Sequence, residues 1–391
     1  MSTPLKTHAL TVVLDDAVEA SPRPLKLVDN PPNPFSSTSA HWLEGMESAA
    51  RVVVHEDHTR NILAKNASPD IGFNFSVNPY RGCQHACAYC YARPGHEYLS
   101  MGAGTDFDTQ IVVKPDAPAL LEAAFDKPSW RGEQVMFSGV TDCYQPLEAS
   151  YRLTRGCLEV CARYRNPVGL ITKSPLVERD VDVLLELQAH AQLTVMVSIP
   201  FFDVDKARAI EPGVATPQRR LRTVETLAKA GLRVGVMTAP IIPGLNDEDM
   251  PKVLEAAAAV GAVRAGYVLL RLPGSVAGVF EHRLRAAFPL RADKIMRRVA
   301  ETRGDVDGDR LYDSRYGVRQ TGVGSYAQMI HTLFSRTTTR LGLNNTAVVM
   351  SDRPFDDGSG RVVQVPSSST TGTTFRRPDK PKKPSPQLTL F

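Results

Sequence analysis

The stretch Asn78-Pro79-Tyr80-Arg81-Gly82-Cys83-Gln84-His85-Ala86-Cys87-Ala88-Tyr89-Cys90-Tyr91-Ala92-Arg93 decides how this chain is read. It carries three cysteines in C-x3-C-x2-C spacing, with an aromatic residue, Tyr89, just before the third. Three thiolates on one tight loop suit three irons of a [4Fe–4S] cube, whereas the usual electron-transfer cluster takes four cysteines. A three-cysteine loop therefore leaves one iron open to a small-molecule chelator. Two other readings use the same residues. A structural zinc site takes four N or S ligands, so it would need His85, His96 or a remote cysteine as the fourth. A dithiol redox centre needs only Cys87 and Cys90, which stand as C-x-x-C. Neither accounts for Cys83 and Tyr89 together.

Around this stretch, residues 71 to 287 alternate short apolar runs with helical patterns. The predicted strands are Phe73–Val77, Gln110–Val113, Gln134–Phe137, Val168–Thr172, Leu193–Ile199, Leu232–Thr238 and Ala265–Leu270. Between them, Ser174-Pro175 opens a helix marked by Val181, Leu184, Leu185 and Leu187. Thr216-Pro217 opens one marked by Leu221, Val224, Leu227 and Ala228 and closed by Gly231. A third runs from Glu248 to Val260, with Asn246 or Asp247 as cap and Gly261 as stop. These are ordinary start and stop residues. Cys157 and Cys161 fall on the apolar face of a helix predicted over Tyr151–Arg163. Repeated βα units imply a parallel sheet with helices outside it, and right-handed crossovers curl such a sheet into a full or partial barrel. Functional groups belong at the C-terminal ends of its strands.

The flanks differ. Residues 1–70 lack periodic apolar pattern and read as an irregular extension. Residues 288–345 read as mostly helical, and 346–391, rich in Ser, Thr, Gly, Pro and charge, as a disordered tail. Of 391 residues 42% are apolar, ample for a core, and the net charge is +4. That mild excess does not by itself imply nucleic acid, but five of the basic residues (Arg376, Arg377, Lys380, Lys382, Lys383) crowd near the C-terminus. Six cysteines without a secreted spacing fit a reducing compartment. No signal core or membrane-length apolar run is present, so a cytoplasmic location and no membrane partner are expected.

The runs Gly82–Arg93, Thr141-Asp142-Cys143-Tyr144-Gln145-Pro146-Leu147-Glu148 and Thr154-Arg155-Gly156 resemble the radical S-adenosylmethionine (SAM) enzymes, in the spore-photoproduct-lyase-related, DNA repair photolyase-like branch. The similarity runs from about Pro31 to Leu343. It implies a partial (β/α)6 barrel of the TIM-like type, α/β in class, with the cysteine loop after the first strand. It implies a [4Fe–4S] cluster on Cys83, Cys87 and Cys90, with SAM on the open iron and a cytosolic electron donor. It places the Gly139 carbonyl region and Asp142 at the SAM ammonium, Lys173 at its carboxylate, Ser198 at its ribose, and Tyr89 and the 239–247 turn at its adenine. Cys143 is the candidate hydrogen-atom donor, although in spore photoproduct lyase the donor cysteine lies before the matching turn, where this chain has Gly139 and Val140. Arg271, at the end of the last strand, faces an anionic substrate or makes a structural ion pair.

The chain ends Gln387-Leu388-Thr389-Leu390-Phe391, which resembles the peptide that docks on the bacterial DNA polymerase sliding clamp. Leu388, Leu390 and Phe391 are apolar anchors for a pocket, with Gln387 at its rim. A preceding tether of ~40 residues has a root-mean-square span of roughly 35 Å. The tail makes DNA the expected substrate class. Radical chemistry on RNA, a peptide or a small molecule, and a non-catalytic metal protein regulating the clamp, are the alternatives.

Overall fold

A computed structural model describes residues 51–305, 310–344 and 373–378, with the backbone of two-residue strands at Thr7–His8, Phe355–Asp356 and Val362–Val363. Six parallel strands run β1 (Phe75–Val77), β2 (Val135–Phe137), β3 (Val168–Thr172), β4 (Leu193–Ser198), β5 (Val234–Ile241) and β6 (Arg264–Leu269). They lie side by side in sequence order, and β1 and β6 do not pair, so the sheet is an unclosed barrel. Leu63–Lys65 adds an antiparallel edge strand to β1. The helices between or after them are α1 (Ala117–Asp126), α2 (Leu153–Arg163), α3 (Val181–His190), α4 (Pro217–Lys229), α5 (Met250–Ala259) and α6 (Val276–Ala287). The partial (β/α)6 expectation holds. Among the described residues no helix is long and apolar enough to cross a membrane.

Strand alternation sorts the residues onto two faces. Val77, Phe137, Leu170, Val195 and Val234 are in register across five strands. They share one buried cluster with Leu121, Leu158, Leu184, Val224 and Leu254 of the surrounding helices. On alternate positions, three methionines lie against the glycine of the next strand. Met136 pairs with Gly169, Met196 with Gly235 and Met237 with Gly266. A Cβ on those glycines would stand 2.7, 2.4 and 3.0 Å from the methionine side chain. Long, adaptable thioethers over bare backbone fill this layer.

The caps act locally. Ser174 and Thr216 accept from the amides of Leu176 and Arg219, as their positions before Pro175 and Pro217 predict. Asn246 is different: its side chain caps no helix but holds the Ile242 amide and the carbonyls of Pro200 and Pro240. A short 3-10 turn, Asp247–Asp249, precedes α5. The helix predicted over Tyr151–Arg163 is broken at Arg152, which has φ of 52°. Gln110–Val113 is a strand with the predicted bounds but lies outside the barrel. It pairs parallel with Val53–Glu56 and antiparallel with Tyr80–Arg81 in a second sheet. Apolar runs specify strands without specifying which sheet receives them.

After α6 come α7 (Ala292–Glu301) and α8 (Gly324–Arg340), so the region is helical as expected. Residues of α6 and α7 (Phe280, Leu284, Ile295, Val299) build a second core with Cys87, Ala88, Tyr89, Phe201 and Ile210. The cysteine loop therefore rests on packed apolar side chains. The tail departs from expectation at one place. Thr373–Pro378 docks on the αβ loops that precede β2 and β3, at the N-terminal ends of the strands. Phe375 packs edge-on to Phe125 and stacks with Tyr164. Arg377 donates to the carbonyls of Phe125, Lys127 and Trp130, so it is not a free cation for phosphates. Gly132 makes this approach possible, since a Cβ there would meet Phe375 Cβ at 2.2 Å. The clamp-like residues Gln387, Leu388, Leu390 and Phe391 lie outside the described residues.

Candidate active site

The cysteine loop leaves the C-terminal end of β1 through Asn78 and the short strand Tyr80–Arg81. Gly82, with φ of 78°, turns it. Its backbone is consumed by protein partners. The amide of Cys83 donates to Phe107 O (2.9 Å) and that of Ala88 to Ile210 O (3.0 Å). Arg93 is fully buried and donates twice to Cys87 O (3.0 and 2.9 Å), to the carbonyls of Ala103 and Gly104, and to Asp108 (2.9 Å). The sulfurs form no disulfide, and His85 meets Cys83 through its ring and Cys87 through its carbonyl. Cys83, Cys87 and Cys90 are free thiols, two buried and one half-buried. Burial pushes the Cys90 thiol up to about 11 and Cys87 up as well, against the opposing charges of Arg93 and Lys173. Bare thiolates are therefore costly at Cys87 and Cys90, whereas at Cys83 burial is outweighed by the His85 cation, which holds the thiol below its ordinary value. Among the described residues no three His, Cys, Asp or Glu side chains converge on one ion-sized point. A cube asks something different, one thiolate for each of three irons.

Asp142 is half-buried beside the loop, but its carboxylate is fully engaged. Oδ1 accepts from Tyr144 N (2.9 Å) and Thr172 Oγ1 (2.7 Å). Oδ2 accepts from Lys173 N (2.7 Å) and faces His85 Nδ1 at 3.3 Å. These fill the roughly four acceptor sites of a carboxylate. Burial opposes its charge, but His85 and these donors hold it down to about 2. Burial likewise opposes the His85 cation, yet Cys83 and Asp142 hold its pKa up to about 10. The expected ammonium ligand is thus a clasp tying the cysteine loop to the ends of β2 and β3. The rest of its motif does the same. Thr141 Oγ1 donates to Gly82 O (2.8 Å), Gln145 Nε2 to Gly82 O (3.2 Å), and Gln84 N to Gln145 Oε1 (3.2 Å). Glu148, fully buried, accepts from Tyr80, Thr154 and Arg179.

The other predicted residues fall as follows. Lys173 is half-buried, with Nζ 5.7 Å from the centre of the Tyr89 ring. Burial opposes its charge, but Cys87, Glu211 and Asp142 more than offset this and raise its pKa. Gly139 sits in the turn after β2, and its carbonyl accepts from Tyr91 OH (2.6 Å). The preceding Ser138 has φ of 75°, a left-handed conformation costly for a non-glycine residue. Ser198 is buried, with Oγ donating to Ala239 O at 3.2 Å. Cys143 is 1% exposed and belongs to the main apolar core with Cys157 and Cys161. Its thiol lies between that core and the Ser138 hydroxyl in the turn after β2, with almost no solvent exposure. Among the described residues Arg271 has no carboxylate partner; its contacts are the rings of Tyr91 and Tyr312.

Sequence reasoning missed a brace on the opposite side of the loop. Tyr89 OH donates to Glu211, Glu211 pairs with Arg220 (2.7 Å), and Arg220 donates to Ser198 O (2.8 Å). Gly213 N donates to His85 O at 3.1 Å. Glu211 and Arg220 are 2% and 0% exposed, a charge pair built into the core under Tyr89.

The family model of the Radical SAM superfamily matches residues 77–257, from the end of β1 through α5. Among curated proteins, an uncharacterized protein of Mycobacterium tuberculosis is 40% identical over 61% of this chain and 71% of its own length. A protein of Pseudomonas phage M6 named radical SAM Nalpha-GlyT isomerase is 21% identical over 74% of this chain and 56% of its own. Among solved structures, spore photoproduct lyase complexed with dinucleoside spore photoproduct superposes with a TM-score of 0.53 at 17% identity, covering 77% of this chain and 86% of that one, a likeness of fold. The cofactors of the superfamily are a [4Fe–4S] cluster and SAM. Open barrel, cysteine loop after its first strand and family match agree: the chain belongs to the radical SAM superfamily.

Proposed function

We propose that this chain is a radical SAM enzyme acting on damaged or modified DNA. The observation that carries the chemistry is a loop whose backbone is spent on protein contacts and whose three thiols are free. The donor set fits the group. Cys83, Cys87 and Cys90 would hold three irons, and no fourth cysteine competes, since Cys143, Cys157 and Cys161 are in the core. When bound, the cluster supplies the electron that cleaves SAM and yields a hydrogen-abstracting radical. The chain's own groups position and shield. Asp142 and His85 lock the loop to β2 and β3. Lys173, beside Tyr89, would pair with the SAM carboxylate, and the strained Ser138–Gly139 turn would offer backbone carbonyls to its ammonium. The second core under the loop excludes water.

The DNA reading is supported by the fold shared with a lyase solved with a dinucleoside photoproduct and by the C-terminal sequence. The test is SAM cleavage by anaerobically reconstituted protein, measured as 5′-deoxyadenosine, with and without oligonucleotides carrying defined lesions. Stimulation of about 10-fold or more by one lesion, some 1.4 kcal/mol of coupling, is expected. Equal turnover with every DNA, and stimulation by RNA or peptide instead, would refute the substrate class.

Recruitment by the sliding clamp is proposed on the tail. The anchor at Thr373–Pro378 changes its reach. Only Asp379 to Pro386 separate the anchored residues from Gln387, so the motif starts no farther than about 30 Å from Pro378. The anchored residues lie on the face opposite the cysteine loop. Surface plasmon resonance on the cognate clamp should show saturable binding, weakened about 100-fold or more by Leu388→Ala/Phe391→Ala, since two buried anchors are lost. Unchanged binding by the double variant would remove this partner.

A further inference from the structure

We propose that Arg271 is a substrate-binding residue that takes a backbone phosphate of a DNA strand whose bases are unstacked; this rests on the DNA reading above. Arg271 lies two residues beyond β6, at the C-terminal end of the sheet. Its guanidinium lies near aromatic rings from two distant segments. It stands 5.5 Å from the centre of Tyr91, the residue after Cys90, and 5.9 Å from that of Tyr312. Tyr91 is 49% exposed, and Tyr316, with Arg319 over its ring, is 59% exposed. Flat rings thus surround Arg271 here, while Arg319 is held by Asp70 through two hydrogen bonds.

Among the described residues no carboxylate pairs with Arg271. Its only hydrogen bond among the described residues is a long one, 3.4 Å to Tyr312 OH, and its buried Nε has no partner. A second guanidinium lies behind it. Arg303 is fully buried and donates to the carbonyls of Leu270, Val318 and Arg319, with its Nε also unpartnered. Burial, and then the charge of Arg271, hold Arg303 down to about 10. The nearby carboxylate of Asp313 is committed to Arg315 through three contacts of 2.6–3.1 Å. Two neighbouring guanidiniums, the nearest described acid being engaged by Arg315, are stabilised by an anion. A phosphodiester fits better than an isolated carboxylate because the ligand would bring bases to the rings. Guanidinium forks pair with phosphate, and base–aromatic stacking is tolerant of sequence. The same charges could serve the carboxylate of SAM, so the test must separate the two.

The experiment uses the cluster-loaded full chain and a fluorescein-labelled single strand of about 12 nucleotides. Anisotropy is followed across salt concentrations, with titration of S-adenosylhomocysteine as the second ligand. Arg271→Gln should weaken oligonucleotide binding about 10-fold and lower the slope of log K against log salt by about 0.7, one single-strand phosphate. Arg271→Lys should restore the slope but only part of the affinity, since an ammonium lacks the planar fork. That rescue separates lost charge from lost folding. A wild-type slope in Arg271→Gln would overturn the proposal. So would lost S-adenosylhomocysteine affinity with an unchanged oligonucleotide slope, which would assign the guanidinium to the cofactor. Absence of oligonucleotide binding by the wild type would instead refute the DNA reading itself, and this proposal with it.

Discussion

Replacing Cys87 with alanine is expected to abolish SAM cleavage and strip the protein of its cluster. Iron and acid-labile sulfide, about four of each per chain in the wild type, should fall to background. 5′-Deoxyadenosine formation should drop at least about 1,000-fold, some 4 kcal/mol. The reason is local. The thiol has one recorded protein contact, 4.0 Å to His85 O, while the carbonyl of the same residue is held by Arg93. Alanine keeps the carbonyl, so the loop retains its shape and loses a ligand. Cluster loss with an unchanged unfolding temperature of the metal-free protein is therefore the signature. A variant that retains iron and makes 5′-deoxyadenosine at the wild-type rate would refute the ligand assignment. A wild type purified with zinc and no sulfide would restore the competing reading of the same cysteines.

The barrel was legible because its signals are local. Val168–Thr172 is found with its predicted bounds, and Thr216-Pro217 caps α4 as such a pair should. Sheet membership is not local. Gln110–Val113 has the same apolar run as a barrel strand, and only its pairing with Val53–Glu56 shows otherwise. That partner sits in a segment read as irregular because its four residues, Val53-Val54-His55-Glu56, are too short to show a period. The anchor at Phe375 was hidden for a related reason. One aromatic residue in a polar tail carries no pattern, and its pocket of Phe125, Tyr164 and Gly132 is assembled from distant loops.

In the site, the sequence located residues better than roles. Asp142, Gln145 and Glu148 stand in a recognisable motif, and the geometry gives them structural work. A carboxylate with every acceptor site filled by Tyr144, Thr172, Lys173 and His85 has none left for a ligand's ammonium. Cys143 shows the same limit. A cysteine beside a turn reads as accessible, yet the folded chain leaves this one almost no exposed surface. Glu211, Gly213 and Arg220 could not be found at all. They act on Tyr89 and His85 across more than a hundred residues, and nothing in Glu211-Pro212-Gly213 distinguishes it from an ordinary turn.

That turn gives the second large effect. Gly213→Ala should impair cluster retention and SAM cleavage although no ligand is touched. A Cβ at Gly213 would lie 2.2 Å from Gln84 O and 3.0 Å from His85 C and O. These are backbone atoms between the first two cluster cysteines, not side-chain ends that can swing aside. Gln84 is further pinned, its amide by Gln145 and its side-chain oxygen by Leu147 N. Relief must come either from the cysteine loop, which would carry Cys83 and Cys87 with it, or from the turn, which would draw Glu211 away from Tyr89 and Arg220. Overpacking of this kind costs about 1–3 kcal/mol of stability. A displacement near 1 Å at a reacting centre can lower turnover about 100-fold. Gly278→Ala is the matched control, since it lies in α6 with nothing within 4 Å of a new Cβ. It should gain roughly 0.5–1 kcal/mol from helix propensity and keep full activity. The comparison needs unfolding temperature, iron and sulfide content, and 5′-deoxyadenosine rate for both variants. If Gly213→Ala matches Gly278→Ala in all three, the loop does not depend on the Glu211–Gly213 brace, and the close approach seen here has no bearing on how the cysteines are held.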